Sequence, residues 1–298
     1  MKERAPLEAI PSTPCILDLH CHTVRGSVDS QLTPEELAAA ARSSGLSACC
    51  ITEHDNVWER HDARRYAQQE GMPVLRGMEV TTDLGHILVY GLDRYASGIR
   101  DARVLRRVTE AAGGIMIVAH PFRNLLYRPN ALHPGFPSIE EAAEWEIFRL
   151  VDEVEVLNGG TAELENFFAL KVANYLGFRG VACSDAHSLQ GIGRYATCFS
   201  QQVSTVEQLV ARLKGGSFFP AERLVRPHPN PLPEGEGMAN GALPEGEGMK
   251  NEALSLGGGM PDGALPEGWG RVLPAFRPYT VDELGVHWEE RLQDALRT

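Results

Sequence analysis

The chain has 298 residues, 43% hydrophobic and 23% charged, which suits one large soluble domain or two small ones. Its 40 acidic and 28 basic side chains give a net charge of −12; that argues against wrapping long nucleic acid, which needs many phosphate-neutralising cations. No apolar run reaches the ~20 residues of a membrane span, and residues 1–14, with Lys2, Glu3, Arg4 and Glu8, lack the apolar centre of a secretory signal. The expectation is a cytoplasmic protein without a membrane partner. Its six cysteines show no C-x-x-C pair, so they read as buried, reduced thiols.

The first element, Ile16 to Thr23, is an apolar strand that ends in His20 and His22. Side chains two apart in a strand share a face, so both imidazoles can converge just past its carboxyl end. Thr33-Pro34-Glu35-Glu36 is a capping box that opens a helix, and Gly45 closes it. Ala48 to Thr52 is a second strand, ending in Glu53-His54-Asp55, and the helix after it stops at Gly71. Val74 to Val80 is a third strand, carrying Glu79, and His86 to Tyr90 a fourth. A helix over 100–112 precedes the strand Ile115 to Ala119, which delivers His120.

Residues 122–137 form a proline-punctuated loop, a candidate lid. Helix 138–150 leads to strand Val154 to Leu157, and helix 161–176 to strand Gly180 to Cys183, which ends in Ser184-Asp185-Ala186-His187. Thr197 to Ser200 is the last expected strand, followed by a helix to Lys214. Alternation of strand and helix argues for βα units around a parallel sheet or barrel, and barrel enzymes keep their chemistry at strand carboxyl ends.

Beyond residue 226 the composition changes. Leu232-Pro233-Glu234-Gly235-Glu236-Gly237-Met238 recurs eleven residues later, and a third copy starts at Leu265. One apolar residue per several Gly, Pro and Glu cannot bury a core, so 227–270 reads as a disordered insertion. Thr280 to Glu283 is another capping box. Val281, Leu284, Trp288, Leu292 and Ala295 form a stripe at helical spacing, as expected of a terminal helix docked on the main domain. The division is therefore 1–225, a 226–275 linker, and a 276–298 helix.

The strand ends collect His20, His22, Asp29, His54, Asp55, Glu79, His86, His120, Asp185 and His187, so six of the ten histidines fall there. Mixed imidazole and carboxylate ligands suit divalent Zn, Mn or Fe better than an all-oxygen Mg or Ca cage. Paired ions can activate water against phosphorus, and a guanidinium can absorb charge on the phosphoryl oxygens. Arg123 is the first candidate for that catalytic and substrate-binding cation, and Arg194 the second. Asp55 reads as orienting His54 or capping a helix, Asp18 as a buried anchor, and Glu155 and Asn158 as supporting groups.

Asp18-Leu19-His20-Cys21-His22-Thr23, Thr33-Pro34-Glu35-Glu36-Leu37, Thr52-Glu53-His54-Asp55, Gly77-Met78-Glu79, Ala119-His120-Pro121-Phe122-Arg123 and Ser184-Asp185-Ala186-His187 together resemble the motifs of the polymerase and histidinol phosphatase (PHP) family, in the family's order over residues 14–215. The resemblance implies an α/β fold, a distorted (β/α)7 barrel, and two or three divalent ions that cleave phosphoester bonds. Carried over by motif, His20, His22, Glu79 and Asp185 hold one ion. Glu79 bridges to a second, completed by His86 and His120, and Asp29, His54 and His187 hold a third. Glu79 and Asp185 are thereby counted among the catalytic groups. The stretch Val24 to Ser30 departs from the family's usual short Ser-Asp-Gly. The expected function is a metal-dependent phosphatase for a small phosphorylated molecule, with nucleotide mono- and bisphosphates as candidates. A histidinol-phosphatase-like enzyme and a non-catalytic metal- or phosphate-binding module are the alternatives.

Overall fold

The computed structural model describes residues 14–125, 137–224 and 276–295, with side chains to residue 291. Most of the expected lid and all of the 227–270 repeat lie outside these residues. The fold is mixed α/β, built on two sheets. In the first, β1 (Cys15–Cys21) pairs in parallel with β2 (Ala48–Ile51), and β2 with β3 (Val74–Arg76). On its other side β1 runs antiparallel to β9 (Tyr195–Phe199), which continues through β10 (Phe218–Arg223) to β11 (Phe276–Pro278). The second sheet orders β4 (Met78–Thr82), β5 (Gly85–Tyr90), β6 (Ile115–Val118), β7 (Glu153–Asn158) and β8 (Val181–Cys183).

The helices begin where their caps direct. Thr33 and Glu36 close the capping box of α1 (Pro34–Ser43), with proline in the first turn; such a cap is worth ~1 kcal/mol over alanine. Helices α2 (Arg60–Glu70) and α3 (Ala102–Ala111) follow β2 and β5. The expected helix over 138–150 is two short ones, α4 (Ile139–Ala143) and α5 (Ile147–Leu150). Helix α6 (Glu163–Leu176) stops at the left-handed Gly177, and α7 (Val206–Gly215) at Gly216.

Three findings correct the expectations. The single strand over 74–80 is two, broken at Gly77 and divided between the sheets. A Cβ at Gly77 would lie 2.6 Å from Cε1 of the buried Tyr90, so only glycine lets the chain pass that ring. The alternation is not purely parallel: β4 and β5 form an antiparallel hairpin, because the two residues between them are too few for a crossover helix. Lastly, β10 and β11 extend the first sheet beyond the strand expected to be its last.

Among the described residues the ladders form two sheets rather than one closed barrel. The sheets meet through isolated parallel bridges, Cys21 with Ala186 and His54 with Glu79. The terminal helix α8 (Val281–Ala295) is docked, not free: Val281, Leu284 and Trp288 are buried in the cluster that contains Tyr195 and Ala169. Burying each such side chain contributes roughly 1.5–3 kcal/mol. Leu292 and Ala295 have side chains outside the described set. No helix among the described residues is long and apolar enough to cross a membrane.

Candidate metal centre

The carboxyl ends of β1, β2, β6 and β8 and the β4–β5 hairpin surround one point. His20 lies in β1 and His22 just past it, pointing the same way as the strand period requires. Glu79 and His86 are diagonal neighbours across the hairpin, close enough for Glu79 Oε1 to meet His86 Nδ1 at 2.8 Å. His120 and Asp185 each follow a strand and hold left-handed backbone conformations, φ 28° and 52°. Non-glycine residues adopt these at a cost of about 1 kcal/mol or more. Here the turn swings each side chain off its strand toward the centre.

At that centre four atoms converge. His20 Nε2 and His22 Nε2 are 2.9 Å apart. Each is 3.2 Å from Glu79 Oε2 and 3.3 Å from Asp185 Oδ1. Both oxygens are buried without a hydrogen-bond partner. The other ring nitrogens are already engaged: His20 Nδ1 with Glu155 Oε1 at 2.8 Å, and His22 Nδ1 with Ser27 Oγ at 3.0 Å. Two imidazole nitrogens and two carboxylate oxygens pressed together in this way repel one another unless a cation lies among them. Two imidazole nitrogens and two carboxylate oxygens within 4.8 Å of one another are the donor types that hold an ion such as Zn²⁺. The residues therefore fit a divalent metal.

Electrostatics agree with that fit. Burial alone would lower the pKa of His20, but the carboxylates of Asp185, Glu155 and Glu79 hold it well above the ordinary value. Burial would raise Glu79 and Asp185, yet His20 and the surrounding imidazoles hold both well below the usual carboxylate range. A proton on His20 thus does in the metal-free cluster part of what a divalent cation would do.

Around this core the remaining ligand candidates form two further groups. Glu79 faces both ways: Oε1 lies 2.8 Å from His86 Nδ1 and 3.0 Å from His120 Nε2, while Oε2 is 3.0 Å from His54 Nδ1. His54, Glu79 and His86 make one group that could hold an ion, and His22, His54 and His187 another. His54 thus sits between the second and third ligand sets implied by the resemblance rather than in the third alone. Asp29 stands at the edge, 3.2 Å from His54 Nε2 and 3.4 Å from His187 Nε2, with its side chain 55% exposed.

The supporting residues divide into those read from the sequence and those missed. Glu155 accepts from His20 and, through Oε2, from the His120 backbone N–H and Asn158 Nδ2, both at 2.8 Å. Asp18 anchors the loop after β8 by accepting from Ser184 N–H at 3.0 Å, and burial pushes its pKa up to about 6. Asp55 departs from its expected part: it accepts from Thr81 N–H and from Arg100, tying β2's end to the hairpin. Arg123 donates to Asp185 Oδ2 and to Asn158 Oδ1. The second arginine is not brought in: Arg194 faces Glu163 at 3.6 Å and the Tyr195 ring, and makes no described contact with the nine ligand candidates. Glu53 and Ser27, fully buried beside His22, had no assigned role. The only signal in the sequence was an acidic residue abutting His54.

Comparisons with known proteins agree with this geometry. A model of the PHP domain matches residues 18–128, and one described as PHP-associated matches 163–218. An uncharacterized protein of Methanocaldococcus jannaschii is 24% identical over 115 residues, 35% of this chain and 67% of that protein. A 5'-3' exoribonuclease of Haemophilus influenzae is 30% identical over 66 residues, 22% of this chain and 23% of that one, so this chain spans under a quarter of that enzyme. Among solved structures, a two-domain protein of Bacteroides vulgatus containing a predicted PHP-like metal-dependent phosphoesterase superposes with a TM-score of 0.51 at 19% identity, covering 74% of this chain and 69% of that one. The sequence motifs, the convergent imidazole–carboxylate cluster and the two family models have one explanation: residues 18–128 form a PHP domain, with a PHP-associated segment over 163–218.

Proposed function

We propose that this protein is a metal-dependent phosphoesterase that hydrolyses a small phosphorylated substrate, with nucleotide mono- and bisphosphates the first to try. The observation that carries the reading is the set of four convergent atoms, two of them buried carboxylate oxygens without hydrogen bonds. On this reading His20, His22, Glu79 and Asp185 hold one ion. Glu79 also serves a second with His86 and His120, Asp29 and His187 belong to a third, and His54 stands between these two. Divalent ions such as Mn, Zn or Fe supply positive charge beside the phosphorus and acidify water. The two sheets would be halves of a distorted (β/α)7 barrel, with 1–225 as the catalytic unit.

The chain's own groups do the positioning. A cavity of about 620 Å³ opens beside His86, His120 and Arg123 and continues along Leu84, Trp145 and Ile147. A phosphoryl group at its polar end would meet the Arg123 guanidinium, which is held in place by Asp185, Asn158 and Thr161. Charge developing on the phosphoryl oxygens would then be met by a cation that need not reorganise. Leu84, Trp145 and Ile147 offer an apolar side beside which the leaving group would have space. The Haemophilus influenzae relative, an exoribonuclease, also acts on phosphoesters. Six buried, unpaired thiols favour a reducing, cytoplasmic setting.

Elemental analysis of the purified protein, paired with a panel of phosphomonoesters and nucleoside bisphosphates in added Mn, Zn or Fe, tests the proposal. Bound metal with turnover that a chelator abolishes is expected. No turnover with any metal, together with stoichiometric binding of phosphate compounds, would overturn it in favour of a non-catalytic module.

A further inference from the structure

His22 is flanked by a buried relay that the ligand set does not include. Glu53, fully buried, accepts four hydrogen bonds. Oε2 takes one from Thr23 N–H at 3.0 Å and one from the Ser27 hydroxyl at 2.6 Å. Oε1 takes one from the Thr23 hydroxyl and one from Trp58 Nε1–H at 3.0 Å. Two of these donors, Thr23 N–H and Trp58 Nε1–H, cannot reverse, and they address different oxygens. Only an acceptor on both sides satisfies them, which describes a carboxylate and not an amide. The Ser27 proton is therefore committed to Glu53. Ser27 Oγ must then accept at its other contacts, from the His54 backbone N–H at 3.2 Å and from His22 Nδ1 at 3.0 Å. With its proton on Nδ1, His22 turns the Nε2 lone pair toward the four-atom centre. The backbone is shaped for this packing as well: a Cβ at Gly26 would lie 2.5 Å from Glu53 Cγ.

We propose that Glu53 and Ser27 are positioning residues that fix the tautomer and orientation of His22 as a metal ligand, Glu53 acting through the Ser27 hydroxyl. The inference rests on the reading of the centre as a metal site. It differs from the arrangement at His20, where Glu155 contacts the imidazole directly. At His22 a hydroxyl is interposed, and the carboxylate controls the ligand from one residue further away. Partners that hold the second nitrogen of a ligating histidine typically change metal affinity 10–100-fold when removed.

The test measures Zn²⁺ affinity of the full chain by competition with a chromophoric chelator, without substrate, for wild type, Ser27→Ala, Glu53→Gln and the double variant. Melting in excess chelator reports folding separately. Ser27→Ala should bind Zn²⁺ 10–100-fold more weakly; its metal-free melting temperature falls because buried partners are lost, and the further rise on adding Zn²⁺, measured from that lower value, shrinks. The double variant should lose little affinity beyond the single ones, since both remove the same relay. Unchanged affinity in Ser27→Ala overturns the proposal, as do fully additive losses, which would separate Glu53 from Ser27. Should Glu53→Gln fail to fold, Ser27→Ala alone decides. A wild type that binds no Zn²⁺ overturns the metal reading and this inference with it, whereas a binding wild type with indifferent variants overturns only the inference.

Discussion

The inner and outer parts of the cluster are built differently. The side chains of His20, His22, Glu79 and Asp185 are at most 2% exposed, and their remaining polar atoms are engaged by Glu155, Ser27, the neighbouring imidazoles and Arg123. On the outer side, His54 and His187 are 27% and 29% exposed and Asp29 is 55% exposed. An inner ligand set that is fixed before metal arrives loses little freedom on binding. An outer set that closes on an exposed carboxylate must order it each time. The difference teaches that several ions in one cluster need not be equally held: the inner position should be filled first and released last.

The strongest way to break this comparison is to remove the residue common to both parts. Glu79→Ala should lower kcat by on the order of 10³-fold or more, because one carboxylate serves both groups, and should deplete metal content by more than one equivalent. Retained turnover would rule out a shared carboxylate. Arg123→Ala should reduce kcat/KM by ~10²-fold while the bound metal changes less, as expected of a group that meets the phosphoryl oxygens. A loss of metal equal to that in Glu79→Ala would instead make Arg123 a support of Asp185 alone. His187→Ala should affect only the outer part: one weakly held equivalent lost and a 10–100-fold fall in rate that excess metal partly restores. Loss of the inner ion in that variant would erase the distinction drawn above.

Smaller effects follow from protonation. In metal-free protein the raised pKa of His20 contributes stability that is fully present below the unfolded value of ~6.5 and is lost as pH rises through the folded value. The depressed Glu79 and Asp185 contribute stability present above the unfolded carboxylate range and lost as pH falls through their folded values. Melting in chelator should therefore decline from pH 6 toward pH 9, and Zn²⁺ should abolish that decline by taking the place of the proton. A chelated protein whose melting temperature is flat over this range would show that the inner cluster holds no such proton. The smallest effect is expected at Arg194, which lies against Glu163 outside the cluster. Arg194→Ala should leave kcat/KM unchanged, and a large fall would restore it as a substrate contact.

What the sequence made legible was whatever depends on local order. An apolar run followed at once by a polar ligand type marks a strand end, and His20, His22, His120 and Asp185 were visible for that reason. The caps at Thr33 and Thr280 were equally local. Features set by distant partners were not legible. The break at Gly77 depends on the Tyr90 ring, thirteen residues away. Strand β10 contains Pro220, which removes a ladder donor and weakens the strand pattern, yet it pairs across its length with β9. Glu53 looked like one more member of an acidic and histidine run until Thr23, Ser27 and Trp58 were seen to surround it. Arg123 and Arg194 looked alike in sequence, and only the fold separates the one beside Asp185 from the one beside Glu163.

The outermost ladder of the first sheet has a practical meaning. Arg223 of β10 lies directly opposite Phe276 of β11, and Glu222 opposite Arg277, so positions 223 and 276 face each other across one ladder. Connections between antiparallel neighbours at a sheet edge are where chains accept length changes most cheaply. A version in which Leu224 is joined to Ala275 by a two-residue turn should retain its melting temperature and its metal content, which would make the length of this connection neutral for the protein.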